Sequence, residues 1–105
     1  MRTMLREDGE RSRLHMACRM DRATTVKLLI RDGVDIDRFD DASGKAPLHI
    51  SAQLGHEACV QQLLASRADV DAPDAHGSSA IFAAAQAGHE RCVQLLLLLQ
   101  GFDRG

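Results

Sequence analysis

Histidine and cysteine recur together in this chain: His15 with Cys18, His56 with Cys59 and His89 with Cys92, each pair three residues apart. On a helix that spacing brings both side chains to one face, where they could ligate a metal or set a thiol beside a base. A tetrahedral site needs about four ligands. Each pair supplies two, and equivalent pairs in neighbouring units would lie about one unit apart, so the spacing assembles no single site. The candidates for nucleophilic catalysis recur with the period of the chain, and regular recurrence argues for architecture over a reaction centre. No phosphate-cradling glycine loop, Gly-Lys-Ser/Thr sequence or paired-carboxylate signature is present. The expectation is a chain with no catalytic residues, cofactor or metal, in which the cysteines pack as small apolar side chains. A metal- or redox-responsive module built on the His and Cys pairs is a distant alternative.

The elements that carry these residues follow from a repeat. Gly44 to Leu64 returns from Gly77 to Leu97, offset by 33 residues and most closely from Gly55 onward, and a looser copy runs from Ser12 to Ile30. A period of that size marks a stacked array. Ser12 to Cys18, Ala46 to Ala52 and Ser79 to Ala85 each open a first helix of small and apolar residues. Gly55-His56-Glu57 and Gly88-His89-Glu90 break the later two, and Ala58 to Leu64 and Arg91 to Leu97 begin second helices. Asp35-Ile36-Asp37 and Asp69-Val70-Asp71 then lead through turn-forming residues to Gly44 and Gly77, as connecting hairpin loops.

Ala46-Pro47-Leu48-His49, Gly55-His56, Val60 with Leu63-Leu64, and Asp69-Val70-Asp71 resemble the ankyrin repeat, whose pattern opens with Thr-Pro-Leu-His. The resemblance implies an all-α solenoid of stacked helix-turn-helix units with connecting hairpin loops. It gives one domain over residues 1–105, with repeats at about 8–40, 41–73 and 74–103. It also implies that the leading hydroxyl and the imidazole tie each hairpin to its first helix. Only Ser12 with His15 keeps both partners, whereas the second unit has Ala46 with His49 and the third Ser79 with Phe82. Side-chain bonding at those two joints is expected to be incomplete, and the third unit the loosest. Arg67 stands where the first unit has Gly33, at the end of a second helix, where a left-handed conformation disfavours a bulky side chain.

Composition fits one small helical domain: 105 residues, no Trp, no Tyr and three Phe, so Leu, Ala, Val and Ile must fill the space between helices. No stretch of signal-peptide or membrane-spanning length appears, the longest apolar run being Leu95 to Leu99. Three cysteines, an odd count at repeat-equivalent core positions, are not a disulfide framework. The expected location is intracellular, cytoplasmic or nuclear. The net charge of −2 conceals an asymmetry: residues 1–31 carry eight Lys or Arg against four acids, and residues 32–105 five against eleven. Arg2, Arg6, Arg11, Arg13, Arg19 and Arg22 could recruit an acidic protein or nucleic acid. Interspersed acids and the lack of interleaved aromatics favour a solvated face instead, and make nucleic acid a poor partner. The aspartates at 32, 35, 37, 40 and 41 have no calcium-loop spacing and suit turns and caps.

What remains is binding by surface. Families of this kind, as the resemblance implies, bind another protein through the hairpin tips and the inner face of the first helices. Carried onto this chain, the first hairpin offers Arg38, Phe39, Asp40, Asp41, Ser43 and Lys45, and the second Asp74, His76 and Ser78. The first helices add Arg19, Met20, Gln53, Leu54 and Gln86. Phe39 stands out, a large apolar side chain in an acidic loop one residue longer than its counterpart. The reading is a non-enzymatic adaptor or scaffold without a small-molecule substrate, the alternative a regulatory or targeting segment of a larger protein or enzyme. Leu95 to Leu99 would point in all directions on a helix, so that end is expected to receive further repeats, a partner or another copy of the chain.

Overall fold

The computed structural model of the chain describes residues 13–39 and 44–104, with side chains through residue 98. The described residues form helices and turns, with no strand among them. The helices are α1 (13–19), α2 (Ala23–Arg31), α3 (Pro47–Leu54), α4 (Glu57–Ala65), α5 (Ala80–Ala87) and α6 (Glu90–Arg104). Helices of eight or nine residues are marginal alone in water, so packing must hold them. The first helices stack on first helices, α3 on α5, and the second on second, α2 on α4 and α4 on α6. Leu14, Val26, Leu48, Val60, Leu63 and Leu96 fill the space between them and are almost fully buried.

Local chemistry sets where each helix starts and stops. Pro47 occupies the first turn of α3, where its missing N–H costs nothing. Ser79 Oγ accepts from the Phe82 N–H at 3.4 Å at the start of α5. Gly55 and Gly88 end α3 and α5 in the left-handed region, at φ 77° and 83°. They differ in surroundings. A Cβ on Gly55 would lie 2.6 Å from Nδ1 of His89, in the next helix pair, whereas one on Gly88 would meet nothing within 4 Å. The equivalent turn after α1 is made by Asp21, at φ 57°, a residue type that tolerates this region. Arg67 takes up the left-handed conformation expected of it, at φ 68°.

The hairpins are anchored through imidazoles. His15 bonds through Nε2 to the Arg38 carbonyl at 2.9 Å. His49, fully buried, accepts at Nδ1 from the Ala46 N–H at 3.3 Å. Its other nitrogen therefore carries the proton and donates to the Ser78 carbonyl at 2.9 Å. The second joint thus lacks the hydroxyl but keeps both imidazole bonds, and the tie is more complete than Ala46 suggested. In the third unit Phe82 cannot make it, and its ring is 53% exposed. Carboxylates complete the loops. Asp35 and Asp69 each accept from the N–H two residues on, at 3.1 and 3.0 Å, and Asp37 accepts across the units from the Asp69 N–H at 2.9 Å.

The leucine run divides by helical phase. Leu96 is buried, Leu95 half-buried, and Leu97 and Leu98 exposed at 57% and 61%. The Leu99 side chain and residues 40–43 lie outside what is described.

Two sets of substitutions follow. Arg67→Gly should raise stability by about 0.5 to 1 kcal/mol, the left-handed penalty relieved less the extra chain entropy of glycine. The thermal midpoint is expected to rise by several degrees. Gly55→Ala and Gly88→Ala should both destabilise, Gly55→Ala by about 1 kcal/mol more, because only there does the new methyl meet a neighbouring unit. Urea midpoints of the two variants measure the difference.

Candidate protein-binding groove

Two cavities line the inner side of the array. The larger, about 660 Å³, lies between the second hairpin and the first helices, lined by Lys45, Gln53, Asp74, His76, Ser78, Phe82 and Gln86 with small alanines between them. A smaller one of about 250 Å³ sits beside it, formed by Arg19, Lys45, Ile50, Gln53 and Leu54. Lys45 and Gln53 belong to both, and Lys45 Nζ donates to Gln53 Oε1 at 2.5 Å. Of the residues singled out from sequence, Lys45, Gln53, Asp74, His76, Ser78 and Gln86 meet in one groove, with Arg19 and Leu54 adjoining it. Met20 and Phe39 are exposed, lining neither cavity, and Arg38 is exposed while its carbonyl holds His15. Asp40, Asp41 and Ser43 fall outside the described residues.

Phe82, in the groove wall, is absent from the sequence-derived set. It stands at the repeat position of His49, where a phenyl ring cannot make the imidazole bonds to a hairpin, and that substitution was the readable signal. Asp74 has a double character. It borders the groove, yet its Oδ1 accepts from the His76 and Ser78 N–H groups at 2.8 and 2.9 Å and so shapes the hairpin. Those bonds, from Ser78 first, hold its carboxyl below the ordinary value of 3.8. The Ala75 N–H donates to the Gly44 carbonyl at 3.0 Å, joining the two hairpins.

The His and Cys residues gather differently from their spacing. Cys18 lies on a first helix, aligned with Ala52 and Ala85, and is not equivalent to Cys59 and Cys92, which sit on second helices. The stacking of one unit on the next nevertheless brings the Cys18 and Cys59 thiols into hydrogen-bonding contact. Cys59 Sγ also donates to Asp21 Oδ1 at 3.7 Å, and His56 places Nδ1 3.6 Å from the other Asp21 oxygen and Nε2 3.1 Å from the Arg19 carbonyl. The contact with Cys59 lowers the pKa of Cys18. The same contact, burial and the Asp21 carboxylate raise that of Cys59, and burial raises that of Cys92. All three thiols are free and buried. Among the described residues no group of three or more His, Cys, Asp or Glu is arranged to hold a metal ion.

Residues 14–104 match the family model for ankyrin repeats, in three copies. The chain belongs to the ankyrin-repeat family. Ankyrin repeats are, in general, protein–protein interaction modules, and the groove lies where the hairpins meet the inner helices. Among characterised proteins, the mouse (Mus musculus) "Ankyrin repeat and SOCS box protein 6" is 37% identical over 62 residues, which is 58% of this chain and 15% of that protein. The chain therefore spans a small part of the length of this relative. No helix among the described residues is long and apolar enough to cross a membrane.

The sign of the Asp74 contribution is fixed by its lowered pKa. The hairpin bonds favour the ionised carboxyl, so the stabilisation is present above the ordinary carboxylate pKa and is lost as pH falls through the lower value in the folded protein. Asp74→Ala should lower the thermal midpoint at neutral pH, and the gap to the parent protein should close as pH is taken below 3.8; paired melts across that range provide the check.

Proposed function

We propose that the chain is a single domain, over residues 1–105 with repeats at about 8–40, 41–73 and 74–103, that acts as a non-enzymatic adaptor or scaffold. The observation that carries this reading is the groove of about 660 Å³ between the second hairpin and the inner helices. Its polar groups, Lys45, Gln53, His76 and Gln86, surround the exposed Phe82 ring, which has no role in the core. An exposed aromatic ringed by polar side chains is the pattern of an interface anchor with its rim. The occupant is a protein segment; neither a small-molecule substrate nor nucleic acid suits a shallow groove with few basic groups and one ring. The three free, buried thiols are those of a reducing compartment, cytoplasmic or nuclear. Phe39, exposed at 45% on the first hairpin, lines neither cavity and is a separate candidate contact.

A second reading keeps the groove but makes the domain a regulatory or targeting segment of a larger protein. It is favoured by the relative, of which the matched stretch is 15%.

Affinity capture from cell extract should compare the parent chain with Phe82→Ala, with Lys45→Ala/Gln86→Ala, and with Thr24→Ala on the exposed side of α2 as a control. Because these side chains are on the surface, melting midpoints are expected to shift by no more than about 0.5 kcal/mol in equivalent stability. Partners retained by the parent chain and Thr24→Ala should be lost from both groove variants. An unchanged set of captured proteins would remove the groove from the function.

A further inference from the structure

Each unit presents a front face to the unit before it and a back face to the unit after it, and the 33-residue offset allows the covered and uncovered versions to be compared position by position. In the second unit Ala52, Val60 and Leu64 are buried at 0%, 0% and 9% by the third. Their counterparts at the carboxyl end are open: Ala85 is exposed, Val93 part-exposed and Leu97 57% exposed. The front face behaves in the same way with an offset of 34. Ile50 and Cys59 are buried and Gln62 half-buried, whereas their counterparts Met16, Thr25 and Leu28 are exposed, Met16 at 56% and Leu28 at 50%. A cavity of about 540 Å³ lined by Ala85, Gly88, His89, Val93 and neighbours lies at the uncovered back face, beside the Gly88 that has nothing within 4 Å of an added Cβ.

We infer that the occupant of the uncovered back face is the front face of a second copy of this chain, stacked head to tail in the register of the internal joints. In that register Ala85 takes the place of Cys18 and faces Thr25 of the second copy in the place of Cys59. Met16 and Leu28 of that copy lie over the cavity and Leu97. Continuity with the internal joints supports this: the chain twice forms such a contact between a back face and a front face, and the described residues present an exposed version of each half. Charge sets the polarity. Among residues 13–31 there are five Lys or Arg against one acid, so a head-to-head contact would appose two basic ends, whereas head to tail sets a basic end against a unit, residues 74–105, that carries three acids and two bases. Such a contact is heterologous and does not close on itself, so copies add in a row. The inference stands apart from the groove, whose residues lie on the inner side.

The test is the solution mass of the 105-residue chain across a concentration series, by light scattering or sedimentation, with complementary variants. The parent chain should rise from 11.5 kDa past twice that mass as concentration increases. Leu97→Glu, spoiling the back, and Leu28→Glu, spoiling the front, should each remain at 11.5 kDa, while their equimolar mixture should form a dimer and stop there, since each supplies the face the other lacks. Ala85→Arg replaces Leu97→Glu should the latter fail to melt cooperatively. A parent chain that remains monomeric to about 1 mM, the limit of weak association, overturns the inference. So does a plateau at two copies, or a Leu28→Glu variant that still dimerises alone, which would mean contact between two carboxyl ends.

Discussion

A pair of helices eight and nine residues long has two apolar faces and cannot cover both by itself. Every other feature of this chain answers to that constraint. The repeat offset places the same side chains at the same height in each unit, so that α3 stacks on α5 and α4 on α6, and the core is a line of shared joints instead of a centre. Leu63 and Leu96, Val26 and Val60 are buried because a neighbour exists. At the two ends of the described stack the same pattern leaves Leu97 and Met16 exposed.

Polar chemistry sets the geometry within that stack. His49 bonds both the start of its own helix and the Ser78 carbonyl, and so holds the second hairpin at a set angle to the inner helices. Asp74 then fixes the shape of the hairpin, and the Ala75 N–H joins it to its predecessor through Gly44. These few bonds shape the hairpin wall of the groove and tie it to α3. Exposed ion pairs contribute little: Arg91 and Glu57, 3.6 Å apart across one joint, are both open to solvent.

The fold was legible because its causes are local and repeated. Pro47, Gly55 and Gly88 announce helix starts and stops by their own backbone limits, and Arg67 betrayed a left-handed position by standing where a sister unit has glycine. Six groove residues could be named for the same reason, since hairpin and inner-helix positions follow from the register. What eluded sequence reasoning joins positions that are not equivalent. Cys18 meets Cys59 only because the first helix of one unit leans on the second helix of the next. Phe82 entered the groove by failing to be a histidine, and the leucine run could not be sorted into buried and exposed until the phase of α6 was known.

Among the described residues the second unit has a neighbour packed on both of its sides, and Gly55 packed by His89 is its signature. In a one-dimensional stack, opening proceeds inward from the ends, so amide protection should be greatest on α3 and α4 and fall off in both directions. The groove straddles that gradient, with Lys45 and Gln53 on the protected unit and Asp74 to Gln86 on the fraying one. A molecule seated there bridges a stable element and a labile one. Its affinity includes the free energy of keeping the last unit closed, and occupancy would be felt as slower exchange in α6, a helix that the groove does not touch.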